Sequence, residues 1–586
     1  MLVSAIAGFM NLPPDGAAEQ QMLAAMEQRG RGQRTVVRTA GGTLLQLAPA
    51  GPARTEEAVL LFDGSLYNGE QLRRELRQLG RFPETEEETV LQCFLAWGPD
   101  CLLRLEGAFA LAVQREGQLF LARDPLGLRP LFYSLHRGGL VFGSEMKTVL
   151  AYPTVEARIG EEGVAELLLM GPGRTPGCGV FADIRGLKPG QWAVYREGRL
   201  TVRRYWRLQD RVHTQTLEET AEQVRSLVTA SIRQQMTENA GACLSGGLDS
   251  SLICAVCAEA LHSRGSVLST FSVDYSNQAR YFRPNAFQPN EDRYYIGLMQ
   301  QALHSRHRTV ILTPEQLAGQ LEEAMLARDL PGMGDVDASL LLLCRQIRRE
   351  VPVALSGEGA DEIFGGYPWY RDRQAGFPWA RNTAQRLALL SGQFRRDRLE
   401  DYVQQRWRQA MEDCDVLPEQ PEEEKAVKRM MNLNLFWFMQ TLAERNDRMS
   451  ARAGLEMRVP LCTPEIAQYL YAVPWAMKQE HGREKGLLRR AVRDLLPGEV
   501  LWRKKSPYPK TFDPRFGQLM LEEMQKLLER KDAALFEIAD RQALAALVRE
   551  ETETPWYGQL MRRPQTIAYF LQMQAWMEAY RVDVIS

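Results

Sequence analysis

The stretch that most constrains what this chain can fold into is Ala242-Cys243-Leu244-Ser245-Gly246-Gly247-Leu248-Asp249-Ser250-Ser251. A short apolar run, Ala242 to Leu244, breaks at two glycines and is followed by Leu252, Ile253, Ala255, Val256 and Leu261, which predicts strand, tight loop and helix. Gly246 and Gly247 can take backbone conformations closed to other residues and let the main chain approach a ligand. The unpaired N–H groups that open a helix favour an anion there. Ser245, Ser250 and Ser251 add hydroxyl donors, and Asp249 a carboxylate able to hold a magnesium ion that bridges phosphates. The loop has no lysine, so it is not the G-x-x-x-x-G-K-[ST] pattern. A bare Ser-Gly-Gly between strand and helix is also an ordinary turn.

The length of 586 residues exceeds what one core can use and predicts roughly two to four domains. The 72 basic and 74 acidic side chains leave a net charge of -2, so no global field argues for nucleic acid or an anionic membrane as partner. No apolar segment approaches the ~20 residues that span a bilayer. The start, Met1 to Phe9, lacks a basic leader and reads as a buried first strand. The nine cysteines are scattered without framework spacing, as expected in a reducing cytoplasm. Cys254 and Cys257 sit on the apolar helix after the loop and are expected to pack in the core. His304 and His307 border a predicted strand, Thr309 to Leu312, and are read as structural, with no zinc assigned.

The first 205 or so residues hold short β-like runs: Ser4 to Phe9, Ala58 to Phe62, Ala108 to Val113, Leu119 to Ala122, Leu131 to Tyr133, Leu140 to Phe142 and Trp192 to Tyr195. Helical patterns interrupt them at Ala17 to Gln28, Gly69 to Leu79 and Glu87 to Trp97, so an α+β sandwich is expected. Ile6-Ala7-Gly8-Phe9, Asp63-Gly64-Ser65-Leu66-Tyr67-Asn68, Arg104 to Ala110 and Leu121 to Leu131 resemble the glutaminase domain of class II amidotransferases, an Ntn-hydrolase-like fold. The resemblance assigns residues 1–207 to that domain and implies a nucleophilic Cys following the initiator Met. Here the matching position is Ser4, and the first cysteine is Cys93. The family's oxyanion Asn falls on Asp63, where a carboxylate would repel developing negative charge. Its glutamine-binding Asp falls on Glu86, and its Arg-bearing segment on Leu44 to Leu47. These departures predict that the first domain does not hydrolyse glutamine.

Beyond a polar linker, Asp210 to Gln215, a helix is expected over Thr216 to Gln235, then the glycine loop, then a strand Val267 to Val273. Strand, helix, strand at this spacing predicts a doubly wound parallel α/β sheet with ligand at the carboxyl ends of its strands. The string Ser245 to Ser251 resembles the pyrophosphate loop of the ATP pyrophosphatases, which implies Leu244 and Val273 beside adenine. After a strand Val351 to Leu355 comes Ser356-Gly357-Glu358-Gly359-Ala360-Asp361-Glu362-Ile363-Phe364-Gly365-Gly366-Tyr367, in which three carboxylates sit among glycines, a concentration of charge that a magnesium–polyphosphate complex would relieve. This string, Leu330 to Asp337, Arg445 to Ser450, Gly454 to Pro460, Arg483 to Arg489 and Leu501 to Tyr508 resemble the asparagine synthetases. The helix bearing Met430, Met431, Leu433 and Leu435 is expected in the core.

The resemblance covers nearly the whole chain and implies an ATP pyrophosphatase domain with C-terminal helices over 216–586. It implies ATP and Mg2+ as cofactors, with Leu244, Ser245, Gly246, Gly247, Asp249, Ser250, Val273, Ser356 and Gly357 around ATP and pyrophosphate, and Asp249 and Asp361 at the metal. Glu358 would face the amine, and Lys505 would stabilise charge on the α-phosphate during displacement. The expected reaction adenylates aspartate, or a similar small carboxylate, and delivers ammonia, giving asparagine, AMP and pyrophosphate. The alternatives are an amidoligase using another carboxylate and amine, as in a peptide or antibiotic precursor, and a non-catalytic nucleotide-binding partner. A separate glutaminase and a homodimer remain open, and the expected location is the cytoplasm.

Overall fold

A computed structural model of the protein describes residues 3–13, 15–39, 41–284, 290–372, 374–550, 554–558 and 560–585. Met1 and Leu2, at the edge of the expected first strand, lie outside the described residues. The chain divides into two units: residues 1–158, 176–207 and 454–456, and residues 159–175, 208–453 and 457–586.

The first unit is the expected α+β sandwich. One sheet contains β1 (Ala5–Met10), β2 (Gln33–Thr39) and β3 (Gly42–Ala48), with β1 antiparallel to β3 and β3 to β2. The other contains β4 (Ala58–Leu66), β5 (Gly107–Arg115), β6 (Gln118–Arg123) and β7 (Gln191–Arg196), each antiparallel to the next. Ile6 and Leu44 from the first sheet meet Leu61, Ala112 and Leu121 from the second in one apolar layer. The far face of the second sheet, through Leu60, Phe62, Leu111 and Phe120, packs on helices α1 (Gly69–Gln78) and α2 (Glu86–Trp97). Helix α2 starts where the sequence supplies a capping box, Thr85 and Glu88 exchanging hydrogen bonds across the first turn.

The core of the second unit is a parallel sheet. Strand β8 (Ala240–Cys243) pairs in parallel with β9 (Ser269–Tyr275) on one side and β11 (Val353–Leu355) on the other, and β9 pairs in parallel with β10 (Arg306–Leu312). Helix α3 (Leu217–Gln235), capped by a Thr216–Glu219 box, precedes β8, and α4 (Leu248–His262) follows it. Cys254 and Cys257 are fully buried on α4. His307 sits among the hydroxyls of Thr270, Ser272 and Thr309. The residues from Met430 to Leu435 named above are buried. No described helix is long and apolar enough to cross a membrane.

Asp210, the first residue of the polar run expected as a linker, is buried: its carboxylate accepts from the Leu417 N–H at 2.9 Å and pairs with the Lys428 ammonium. An acidic residue in a polar run looks solvated until a distant lysine supplies its counter-charge.

Candidate functional site

At the carboxyl ends of β8, β9 and β11 the second unit encloses a cavity of about 250 Å³. Leu244, Ser245, Gly247, Asp249, Ser250, Val273, Ser356, Gly357, Glu358, Asp361 and Lys505 all line it. Of the residues singled out in the sequence, Gly246 stands behind the wall: its φ of +69° turns the loop, and a Cβ there would lie 2.6 Å from the Tyr295 side chain. Local hydrogen bonds fix the shape of the loop. The Ser245 N–H donates to Ser250 Oγ at 3.2 Å, the Ser245 and Ser250 hydroxyls meet at 2.9 Å, and Gly247 precedes the first turn of α4 in extended geometry. Gly357 lets the second loop lie on the first, since a Cβ there would come within 3.0 Å of Asp249 Cβ.

Two carboxylates and two ammoniums meet at this junction. Lys485 Nζ lies 2.5 Å from Asp249 Oδ2 and 2.7 Å from Asp361 Oδ1, while Lys505 Nζ lies 2.7 Å from Asp361 Oδ2. Burial pushes both carboxyls up. At Asp361 the two ammoniums outweigh it and hold the group well below the usual carboxylate range. At Asp249 burial wins over the Lys485 charge, helped by the neighbouring Asp361 carboxylate, so its affinity for a proton rises. Lys485 is itself desolvated, yet the same two carboxylates raise its pKa and keep it charged.

These residues suit a cation shared with a phosphorylated ligand. Asp249 Oδ1 is buried without a hydrogen-bond partner, and no group of three or more His, Cys, Asp or Glu that could hold a metal occurs among the described residues. One or two carboxylates completed by phosphate oxygens is how Mg2+ is commonly bound at nucleotide sites.

Lys485, within the Arg483 to Arg489 string, has no role assigned from the sequence. It takes the left-handed conformation at φ +55°, which aims its side chain back at the two aspartates. Arg489 was likewise passed over. Its guanidinium donates to the backbone carbonyls of Glu484 at 2.9 Å, Leu501, and Arg503 at 3.1 Å, and Glu484 accepts the Lys505 N–H at 3.2 Å. This clasp fixes the segment that delivers Lys505. Arg503 donates to the Ser245 carbonyl at 3.0 Å and so ties that segment to the glycine loop. The signals available in the sequence are the crowding of cations over 483–490 and 503–505 and the place of these residues in the strings Arg483 to Arg489 and Leu501 to Tyr508.

Glu358 is not a free carboxylate: Arg445 Nη2 lies 2.9 Å from its Oε2, and the Arg445 guanidinium carbon sits 5.3 Å from the centre of the Tyr508 ring. Arg445 is desolvated, but the Glu358 charge raises its pKa and keeps it ionised. Glu362, by contrast, is pushed up to about 8 by burial, with the charges of Asp361 and Glu358 adding to it.

In the first unit, Asp63 lies at the centre of a buried polar cluster. Arg29 Nε approaches its carboxylate at 3.1 Å and Ser144 Oγ donates to it at 2.8 Å, while Glu145 lies 3.6 Å from Arg29 and 2.5 Å from Lys147. Ser4 is buried just ahead of β1, Leu44 to Leu47 lie within β3, and Glu86 accepts the Leu66 N–H. Cys93, Cys101 and Cys178 are buried, and burial pushes the Cys93 thiol up to about 12.

Two family models match the chain. Residues 223–578 match the asparagine synthase family model, and residues 3–206 match a glutamine amidotransferase domain model. The chain is 40% identical to asparagine synthetase [glutamine-hydrolyzing] 3 of Bacillus subtilis, over 90% of this chain and 88% of that protein. It is 24% identical to asparagine synthetase [glutamine-hydrolyzing] 1 of the same organism, over 77% of this chain and 75% of that one. It is 28% identical to a putative asparagine synthetase [glutamine-hydrolyzing] of Mycobacterium bovis, over 78% and 76% of the two chains.

Proposed function

From the premise that this chain belongs to the asparagine synthase family, we propose that it makes asparagine by adenylating aspartate with ATP and takes free ammonia, rather than glutamine, as nitrogen source. The observation carrying this reading is the convergence of the Ser245 to Ser251 loop, Asp249, Asp361, Lys485 and Lys505 on one cavity.

In this reading an aspartate side-chain oxygen attacks the α-phosphorus of ATP, the bond to the β-phosphate bridging oxygen breaks, and pyrophosphate leaves. The loop N–H groups and the Ser245 and Ser250 hydroxyls hold the departing phosphates. Lys505 neutralises charge that grows on the α-phosphate, and Lys485 anchors both loops. The amine then attacks the acyl carbon and AMP departs. Glu358, aligned by Arg445, accepts or orients the amine proton. Asp249 and Asp361 would hold Mg2+, which when bound supplies charge neutralisation at the phosphates. The ammonia preference is supported by Asp63, an acceptor-only carboxylate already engaged by Arg29 and Ser144 that can donate no hydrogen bond to an oxyanion, and by the burial of every cysteine described in the first unit.

The test is AMP and pyrophosphate formation by the full chain with ATP, Mg2+ and aspartate. Ammonium should support turnover and glutamine should not. Lys505→Ala and Asp249→Ala should each lower kcat by about 10²–10³-fold, the range for a single electrostatic contact at a transition state. Glutamate released from glutamine would overturn the nitrogen-source assignment, and a variant with unchanged AMP formation would overturn the site.

A further inference from the structure

The chain around Lys505 contains a feature that the proposed reaction leaves unused. Gly365, at φ +74°, and Gly366 reverse the chain directly after the helical turn Ala360–Phe364. Gly366 lies so near the charge cluster that a Cβ would fall 1.9 Å from Asp361 Oδ1 and 2.7 Å from Lys485 Cε. The reversal brings the next residue, Tyr367, under Lys505, whose ammonium lies over the ring 4.9 Å from its centre. Tyr367 is held from three directions. Its hydroxyl donates to Glu362 Oε1 at 2.8 Å, the Trp369 ring stacks on it with centroids 4.4 Å apart at 14°, and Phe438 meets it edge-on at 5.3 Å. Trp369 is pinned in turn through its indole N–H to Asn434 at 3.0 Å.

A lysine on a flexible four-carbon stem loses rotamer freedom when it is aimed at one point. A fixed aromatic face is an inexpensive aiming device, because the ring quadrupole attracts the ammonium without neutralising it as a second carboxylate would. Asp361 is shared between Lys485 and Lys505, so it alone cannot define where Lys505 points. With Trp369 stacked on one face of Tyr367, the other face remains for the cation.

We propose that Tyr367 is a positioning residue for the reaction: its ring face, fixed by Glu362 and Trp369, holds the Lys505 ammonium at the cavity wall and aims it at the phosphate. This inference rests on the role given to Lys505 above.

The test separates ring electrostatics from packing. Tyr367→Phe keeps the face but gives up the bond to Glu362 and serves as the reference for the series, while Tyr367→Leu removes the face and should lower kcat relative to that reference at least as far as the trifluorinated ring does. Replacing position 367 by mono-, di- and trifluorinated phenylalanine preserves shape and weakens the quadrupole stepwise. Pyrophosphate release should then fall stepwise, by roughly 5- to 30-fold in kcat across the series, the range of a desolvated cation–π contact. The KM for ATP should change less than twofold. The same series at Phe377, a buried ring of the neighbouring aromatic cluster, should be flat. A flat series at position 367, or parallel losses at 367 and 377, overturns the proposal while leaving the reaction in place. Full activity in Lys505→Ala instead overturns the reading on which it rests.

Discussion

At the scale of single residues, Gly366 shows how closely the backbone is tailored to the charges. Its missing Cβ is what allows Asp361 Oδ1 and Lys485 Cε to occupy their places. Gly366→Ala would therefore collide first with movable side-chain atoms rather than with backbone. The expected result is a modest loss of stability, ~1–2 kcal/mol, with a fall of about 100-fold or more in kcat for AMP formation because the carboxylate must leave its position. Thermal unfolding and pyrophosphate release measured on the same preparation check this, and loss of stability with kcat intact would contradict it. The residues legible in the sequence, Ser245, Asp249, Glu358, Asp361 and Lys505, share one property: each stands in a string whose residue types make poor sense as plain structure. Lys485, Arg445 and Tyr367 do make sense as ordinary residues. They stand in strings that carry the resemblance, but the role of each comes from the three-dimensional return of the chain, which the string itself does not show.

At the scale of elements, pattern identified what was periodic and apolar. The long apolar strands of the first unit and the strand–loop–helix of the second read directly, whereas β2 and β3 did not. β2 has a single buried residue, Val37, with exposed Gln33, Arg34 and Arg38 breaking any alternation, and β3 is buried on both faces, so it has no alternation to show. Helices also decide which lysines become buried. Glu422–Leu433 carries Lys428 to Asp210, a charge partner, whereas Trp475–Lys478 carries Lys478 to the Met431 sulfur at 3.6 Å. Burial lowers the Lys478 pKa from 10.5 to about 7, against the favourable charges of Glu424 and Asp210 and with Lys428 adding repulsion. The unfolded chain keeps its proton up to about 10.4, so between the two values folding releases a proton and stability rises with pH. Below about 7 both states are protonated and the penalty is complete. Lys478→Met should thus raise the melting temperature by several degrees at pH 6–7, with the gain shrinking towards pH 10. A pH-independent shift would mean that packing rather than charge burial is responsible.

At the scale of the whole molecule, the motif strings fall in two stretches of the chain, each with strings of its own kind. The resemblance assigns residues 1–207 to the first module, and within that span the structure groups Ile159–Thr175 with the second unit. The first module also poses the sharper physical question, since it keeps its architecture while burying charge at Asp63. Arg29 is the counter-ion, with both side chains 0–2% exposed. Removing one partner of such a pair leaves a desolvated charge, which costs about 3–5 kcal/mol, whereas replacing both by apolar groups is often neutral. Arg29→Met should therefore cut the stability of the full chain by that amount in denaturant titration, and Arg29→Met with Asp63→Leu should recover most of it. Ser144 would then lose its acceptor, a smaller penalty of ~1 kcal/mol. If the double variant is no better than the single one, Asp63 is not held by Arg29, and its carboxylate must be answering to something other than the ion pair that now fills the centre of this module.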